Sequence, residues 1–411
     1  MKARYMVLSI VVLAAILTAS VASAEYTLDV SYKPTYTDYA IDAAVMVGSE
    51  IFVGASNTSS AEDSAIIVLD INLTVKEVYN ITANADTIRA IDCRGDLIAV
   101  GAVYGNTTIF IINRTDGTIL GPATIESGAS GYAATVERIA LSGEYVYALV
   151  YNDYDMNYYL YILDKTPSVV SSELVGVIGD LARVGNSDYL LYWNGSNLIY
   201  IADGSGGTLN IVGSIDVGSA FVTRVAGYYN SSENAVYVVY GSNMGVYLAK
   251  YVIGSGLEYN IKIGSESNVI PVFVAPTEDG LYIVAHGTRV APTENWIYIE
   301  PYGYRVTNLA SPAVEVEAIP AGAFGYYYGS EYVFALQEGE VRRYALEIVS
   351  VTTTQTVTKT TTETQVFTEV ETETETETVT VQGPYTEMDL VLVGLVCLVL
   401  GAAIAYIARR R

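Results

Sequence analysis

His286 is the only histidine of the chain, in the run LYIVAHG at 281–287, so any Ser-His-Asp or Cys-His relay has to use it. No G-x-S-x-G turn accompanies it. A histidine at a strand end with its hydrogen bond satisfied is the plainer reading, and a single histidine excludes a histidine-rich zinc or iron site. Forty-five acidic residues offer many carboxylate pairs for glycoside hydrolysis, but no spacing singles one out. We therefore expect no enzyme activity, no cofactor and no catalytic or metal-ligating residue.

Two other groupings carry polar chemistry. Asn152, Asp153, Asp155 and Asn157 put side-chain oxygens at near-alternate positions, as calcium loops do. The glycine at the sixth position and the glutamate at the twelfth are missing, so a polar hairpin loop is the stronger reading. Tyrosine is abundant, 36 copies against 7 of phenylalanine, and clusters at Tyr151, Tyr154, Tyr158, Tyr159 and Tyr161 and again at Tyr326, Tyr327 and Tyr328. Tyrosines give flat amphipathic faces at low entropic cost, which suits glycan or protein contacts; they are also ordinary strand residues at a blade edge. The weak ligand-contact candidates are Tyr151, Tyr154, Tyr158, Asp153 and Asp155. Seven N-x-S/T sequons, at Asn57, Asn72, Asn80, Asn106, Asn113, Asn194 and Asn230, are N-glycosylation candidates if the chain is exported.

Export is what the N-terminus predicts. Lys2 and Arg4 precede an apolar run from Met6 to Leu17, and Ala22-Ser23-Ala24 supplies the small residues of a cleavage site, giving a signal peptide at 1–24. The run is too short for the roughly 20 residues of a spanning helix. At the other end, residues 390–407 carry no charge and at about 1.5 Å per residue reach about 27 Å, enough to span. Three arginines, 409–411, follow. The positive-inside bias then puts a basic tail in the cytoplasm, a single transmembrane helix at 388–408 and the rest outside. A lipid-anchor signal would end in its apolar tail, and a processed sorting tail lacks a recognisable motif at Gly383-Pro384-Tyr385.

Between anchor and body lies a threonine- and glutamate-rich stalk, 350–387. Fifteen of the thirty residues at 351–380 are threonine, and the end alternates Glu and Thr strictly. Too little apolar surface is available for a core, so this is an extended spacer; at full extension residues 350–386 reach about 120 Å. The chain carries a net charge of −24, which argues against nucleic acid or anionic lipid as partner. Cys93 and Cys397 fall on opposite sides of the predicted membrane boundary, so the body stands without a disulfide.

The body, 25–349, is rich in Val, Ile, Tyr and Thr with turn clusters of Gly, Asn, Ser and Asp, and has no amphipathic helical pattern: an all-β ectodomain. A turn followed by a short apolar strand recurs as GSEIFVG, GDLIAVG, SGEYVYAL, NSDYLLYW, ENAVYVVYG, DGLYIVAHG and GSEYVFAL. Its first strand residues are Ile51, Leu97, Tyr145, Tyr189, Val236, Leu281 and Tyr332, spaced 46, 48, 44, 47, 45 and 51 apart. Roughly four strands per repeat predict a seven-bladed β-propeller. The last repeat runs out of strands, so the spare strand YTLDVSY at 26–32 should complete it as its outer strand. A β-helix or stacked sandwiches are the structural alternatives.

The strand-turn units IVLDINLTV (67–75), IFIINRTDGTIL (109–120) and LYILDKTPSVV (160–170) resemble the repeats of YVTN and quinoprotein-like surface propellers of prokaryotes. The order of propeller, Thr-rich stalk and terminal helix resembles archaeal cell-surface proteins. The resemblance implies a propeller on a membrane anchor. It does not carry an activity: WD40 signatures, paired kelch glycines and sialidase Asp-boxes are absent. Only Trp193 and Trp296 are available for the tryptophan docking motifs of quinoprotein dehydrogenases. The expected function is binding or adhesion at the cell surface, with an envelope protein, a glycan or an extracellular ligand as partner. A structural coat component is the alternative, and an extracellular hydrolase is the less favoured one.

Overall fold

The computed structural model describes residues 25–34, 39–57, 63–81, 85–104, 106–127, 132–290, 297–347, 352–360 and 372–380. Contacts divide the chain into a large unit, Leu28–Ala345, and a terminal unit. The large unit is built on seven four-stranded sheets. In blade 1 the strands run Tyr39–Val47, Glu50–Asn57, Ser64–Asp70 and Val75–Ile81, called a to d from first to last. Blades 2 to 6 repeat that order, with a strands Thr87–Arg94, Ala134–Ser142, Asp180–Arg183, Val222–Asn230 and Ile270–Pro276. Blade 7 takes Ala323–Tyr327, Tyr332–Gln337 and Glu340–Glu347 from the end of the body. Its fourth strand is Glu25–Tyr32, from the beginning. Each a strand touches the next, and Ala323–Tyr327 touches Tyr39–Val47, so the ring closes. The chain is an all-β, seven-bladed propeller.

The recurring segment of the sequence is the b strand of every blade. It is buried on both faces, because a blade on either side covers it; Ala235–Ser242 is buried throughout. Such strands read as continuous apolar runs, and each fully buried Val, Leu or Ile contributes about 1.5–3 kcal/mol. The d strands lie at the rim, where Val75–Ile81 alternates between exposed and half-buried positions before its buried last residue. The glycine that ends the motif in blade 2 has a packing cause. A Cβ on Gly101 would meet Val136 Cγ1 of blade 3 at 2.8 Å. The c-to-d turns are held by aspartates: Asp70 Oδ1 accepts from the Asn72 and Thr74 amides at 2.8 and 2.9 Å, and Asp164 Oδ1 from those of Thr166 and Ser168 at 2.8 and 3.0 Å.

Closure of blade 7 has its own lock. Arg343 Nη2 meets Asp29 Oδ2 at 2.6 Å, and Nη1 donates to Ile71 O and Asn72 Oδ1 of blade 1 at 2.9 and 2.8 Å. The guanidinium also lies 4.2 Å from the centre of the Tyr332 ring.

In the terminal unit Thr352–Thr360 pairs antiparallel with Thr372–Thr380, from Thr352 opposite Thr380 to Thr360 opposite Thr372. These two segments, expected from the sequence to belong to an extended spacer, form a two-stranded ribbon, as their content of β-branched threonine allows. The signal peptide, the transmembrane helix and the basic tail expected from the sequence lie outside the described residues. Among the described residues no helix is long and apolar enough to cross a membrane.

Candidate ligand site in the central channel

The seven a strands surround a central channel of about 550 Å3, and every one of them contributes to its wall. Six of the seven carry a β-bulge near their start, at Asp42, Arg89, Glu137, Thr223, Val272 and Phe324. A bulge re-aims the side chains around it. Here it sets charged residues at the channel mouth on the side of the b-to-c turns.

At that mouth Asp180 joins three blades. Its Oδ1 accepts from Arg138 Nε of blade 3 at 2.9 Å and its Oδ2 from the Val225 amide of blade 5 at 2.7 Å. Asp42 likewise accepts from the Ile88 amide of blade 2 at 3.2 Å and from Ser56. Burial pushes its carboxyl above the usual carboxylate range, against those two bonds. Arg224, next to Val225, has Arg138, Asp180, Glu137 and Tyr158 as its electrostatic neighbours. Burial first, and then the Arg138 charge, push its guanidinium down to about 10.

The opposite end is tied by two crossed ion pairs between blades 2 and 4. Arg183 Nε and Nη2 meet Asp92 Oδ2 and Oδ1 at 2.7 and 2.8 Å, while Asp92 Oδ2 also accepts from the Leu141 amide of blade 3 at 2.7 Å. The two side chains are only 6% and 9% exposed. Burial opposes the charge of Arg183, but the Asp92 carboxylate outweighs it and raises the guanidinium above its usual value. In the reverse sense Arg94 of blade 2 meets Asp188 of blade 4 at 2.8 Å.

The residues singled out in the sequence are dispersed. Tyr151 and Tyr158 face each other across strands b and c with ring centres 5.1 Å apart, and Tyr158 belongs to the charged mouth. Tyr154 packs on Tyr132 instead, at 5.3 Å. Asp155 turns to Tyr159 and the Asn157 amide, away from the mouth, and Asp153 stays exposed on the turn. The Asn152 side chain is spent on the Tyr154 amide and on Ser127 O, at 2.9 and 3.1 Å. The Asn152 and Asp155 side-chain oxygens are thus used within the hairpin. Among the described residues no group of three His, Cys, Asp or Glu is placed to hold a metal. His286 lies inside the strand Gly280–Val290 and not at a strand end, and its Nε2 is 2.6 Å from Ala323 O; burial, with a smaller push from Arg224, lowers its pKa. Tyr326, Tyr327 and Tyr328 all line the channel, and Tyr326 stacks on Tyr282 at 3.8 Å.

Of the sequons, Asn72 and Asn80 are exposed, while Asn57, Asn106, Asn113, Asn194 and Asn230 are half-buried. Asn113, Asn194 and Asn230 each accept with Oδ1 from the amide two residues on, at 3.0, 3.3 and 3.1 Å. Sequence reasoning missed the charged groups of the channel. Their one signal was charge within the a strands, Arg89, Asp92 and Arg94 in TIRAIDCR and Asp180 and Arg183 in DLAR.

No protein family matches the chain, and no curated protein is detectably similar to it. Among solved structures, the β-propeller domain of Cps50 (Swd1) from Myceliophteria thermophila is similar at 11% identity. It covers 79% of this chain and 100% of that one, with a TM-score of 0.49. The fold assignment rests on the seven sheets themselves.

Proposed function

We propose that this chain is a ligand-binding propeller of the cell surface, exported by residues 1–24, raised on the stalk and held by the helix at 388–408. The central channel carries the binding reading. A space of about 550 Å3 lies within the range of roughly 300–1,000 Å3 of ligand pockets, and its wall mixes apolar positions such as Val45 and Ile139 with Asp92, Arg138 and Arg183. That combination suits a small solute or one projecting group of a glycan or envelope protein. Export rests on the composition of the two termini, and the sequons are proposed as glycan carriers on the same basis.

A structural coat role has one observation in its favour. The outer strands expose Leu28, Val75, Val169, Leu174, Leu257 and Val316, an apolar content suited to lateral packing. The test uses the purified full chain in detergent, on a glycan array and in pull-downs from envelope extract, beside the Ala182→Trp variant that fills the channel. Saturable binding that the variant loses supports the channel reading. Binding that the variant keeps, or ordered self-assembly without any ligand, contradicts it.

A further inference from the structure

Away from the d strands, the large apolar side chains exposed among the described residues are Tyr132, Tyr154, Met156, Val177, Phe221 and Met244. All six belong to the b-to-c turns and d-to-a connections of one face, in blades 3 to 5 or in the segments that enter them. The a-to-b and c-to-d turns of the other face expose none among the described residues. Close contacts run from each loop to the next. Tyr154, in the b-to-c turn of blade 3, packs on Tyr132 with ring centres 5.3 Å apart. That turn leads into Tyr158, which stands opposite Gly176, the residue before Val177. The connection at 177–179 lies against the b-to-c turn of blade 4, where a Cβ on Gly195 would meet Ile178 Cγ1 at 2.7 Å. Trp193 packs on Phe221 at 6.1 Å. The Phe221 amide donates to Asn243 Oδ1, beside Met244, at 3.0 Å, and its carbonyl accepts from the Asn243 amide at 3.1 Å.

Burial does not hold these side chains. Met156 and Val177 are 67% and 69% exposed, and Met156 sits at a φ of 59°, where glycine or asparagine is the usual occupant. Exposed apolar groups that run across three blades mark a contact surface. The charge around them selects the partner. Glu126, Asp153 and Asp155 are exposed in the same loops, which hold no lysine or arginine. The basic residues near the start of the a strands of blades 3 and 5, Arg138 and Arg224, are half-buried, and Arg138 is paired with Asp180. A second copy of a chain of net charge −24, or an anionic bilayer, would bring like charge to this face. Met156, Val177, Phe221 and Met244 offer a sugar no hydrogen bond, whereas methionine and aromatic side chains are what protein contacts favour. We propose that this face docks a protein that presents apolar side chains flanked by lysine or arginine. None of the six side chains lines the channel, so the inference goes beyond the channel reading and does not depend on it.

The experiment pans a library of random displayed peptides against the full chain in detergent, made without N-glycans because the sequon at Asn194 lies in these loops. Enriched peptides are synthesised and titrated by calorimetry. They are expected to join aromatic or aliphatic residues with lysine or arginine, and to bind more weakly as salt rises. Phe221→Ser combined with Tyr154→Ser should weaken that binding by about tenfold or more. Met156→Gly should weaken it too, while its thermal midpoint holds or rises because glycine relieves the left-handed backbone. A lost surface is thereby told from a lost fold. No enrichment, enriched peptides free of basic residues, or peptides bound equally by these variants overturn the inference. So does binding to anionic phospholipid vesicles, or self-association in sedimentation, that the variants abolish while peptide binding stays as it was. If Ala182→Trp keeps the peptides, the surface stands apart from the channel. If Ala182→Trp loses them and the surface variants keep them, the channel reading stands and this inference fails.

Discussion

Asp92 and Arg183 are 91 residues apart in the chain and meet through two bonds of 2.7 and 2.8 Å across three blades. Blade 3 lies between them and is caught in the same bond set through the Leu141 amide. This cluster holds one end of the channel to a fixed width. Breaking one partner of a buried ion pair strands the other, at a cost of about 3–5 kcal/mol. Asp92→Ala should therefore lower the urea midpoint by that equivalent. The double change Asp92→Leu with Arg183→Met should recover part of it, leaving the unsatisfied Leu141 amide at about 1–3 kcal/mol. A double variant no better than the single one would contradict a pairwise origin.

The lock on blade 7 makes a second prediction. Arg343→Ala removes the bond to Asp29, the two bonds to blade 1 and the stacking on Tyr332. Charged hydrogen bonds contribute about 1.5–3 kcal/mol each and are not additive, so a loss of about 3 kcal/mol is expected by denaturant titration. Asp29→Ala should cost less, because Arg343 keeps its blade 1 partners.

How much of this was legible beforehand follows from where each feature is encoded. The b strands recur at nearly regular spacing because each must be apolar on both faces, so Ile51, Leu97 and Tyr145 mark blades in the bare sequence. The spare strand at 26–32 was legible because the last repeat lacks a fourth strand. The channel was not. Arg138, Asp180 and Arg224 belong to different blades, and only closure of the ring brings them together. Tyr154 and Asp155 show the converse: neighbours in sequence, they sit in the turn at 153–156 and are held by Tyr132, Tyr159 and the Asn157 amide, apart from the Tyr151–Tyr158 pair on the strands.

Acid should weaken the fold in two separable windows. His286 is half-buried and that burial holds its folded pKa below the usual 6.5, so the unfolded chain binds a proton more readily. Its contribution is fully present above that value and is lost as pH falls through the lower folded pKa. Glu50 and Glu77 are lowered from the usual 4.5, first by their bonds to Arg114, and their contribution fades only below that value. Stability measured against pH should show the first decline disappear in His286→Gln and the second disappear in Arg114→Met.

Gly101 gives a packing test. Its missing Cβ leaves room for Val136 of the next blade. Gly101→Ala should destabilise by about 1–3 kcal/mol through overpacking, read from the thermal midpoint. Gly117→Ala, at a c-to-d turn with φ of 73° and open space around it, should act through backbone strain alone. Combining Gly101→Ala with Val136→Ala should restore most of the loss at Gly101, and a failure to do so would contradict the close approach of blades 2 and 3.

The central claim is that the channel, and not the rim, is where this propeller meets its ligand. The most direct measurement is a structure of the full chain with the ligand recovered from the array or the envelope extract. Density inside the ring of a strands, at Arg138 and Tyr327, is the result expected. Density on the exposed outer strands, at Val75, Leu174 or Val316, with an empty channel would contradict the account.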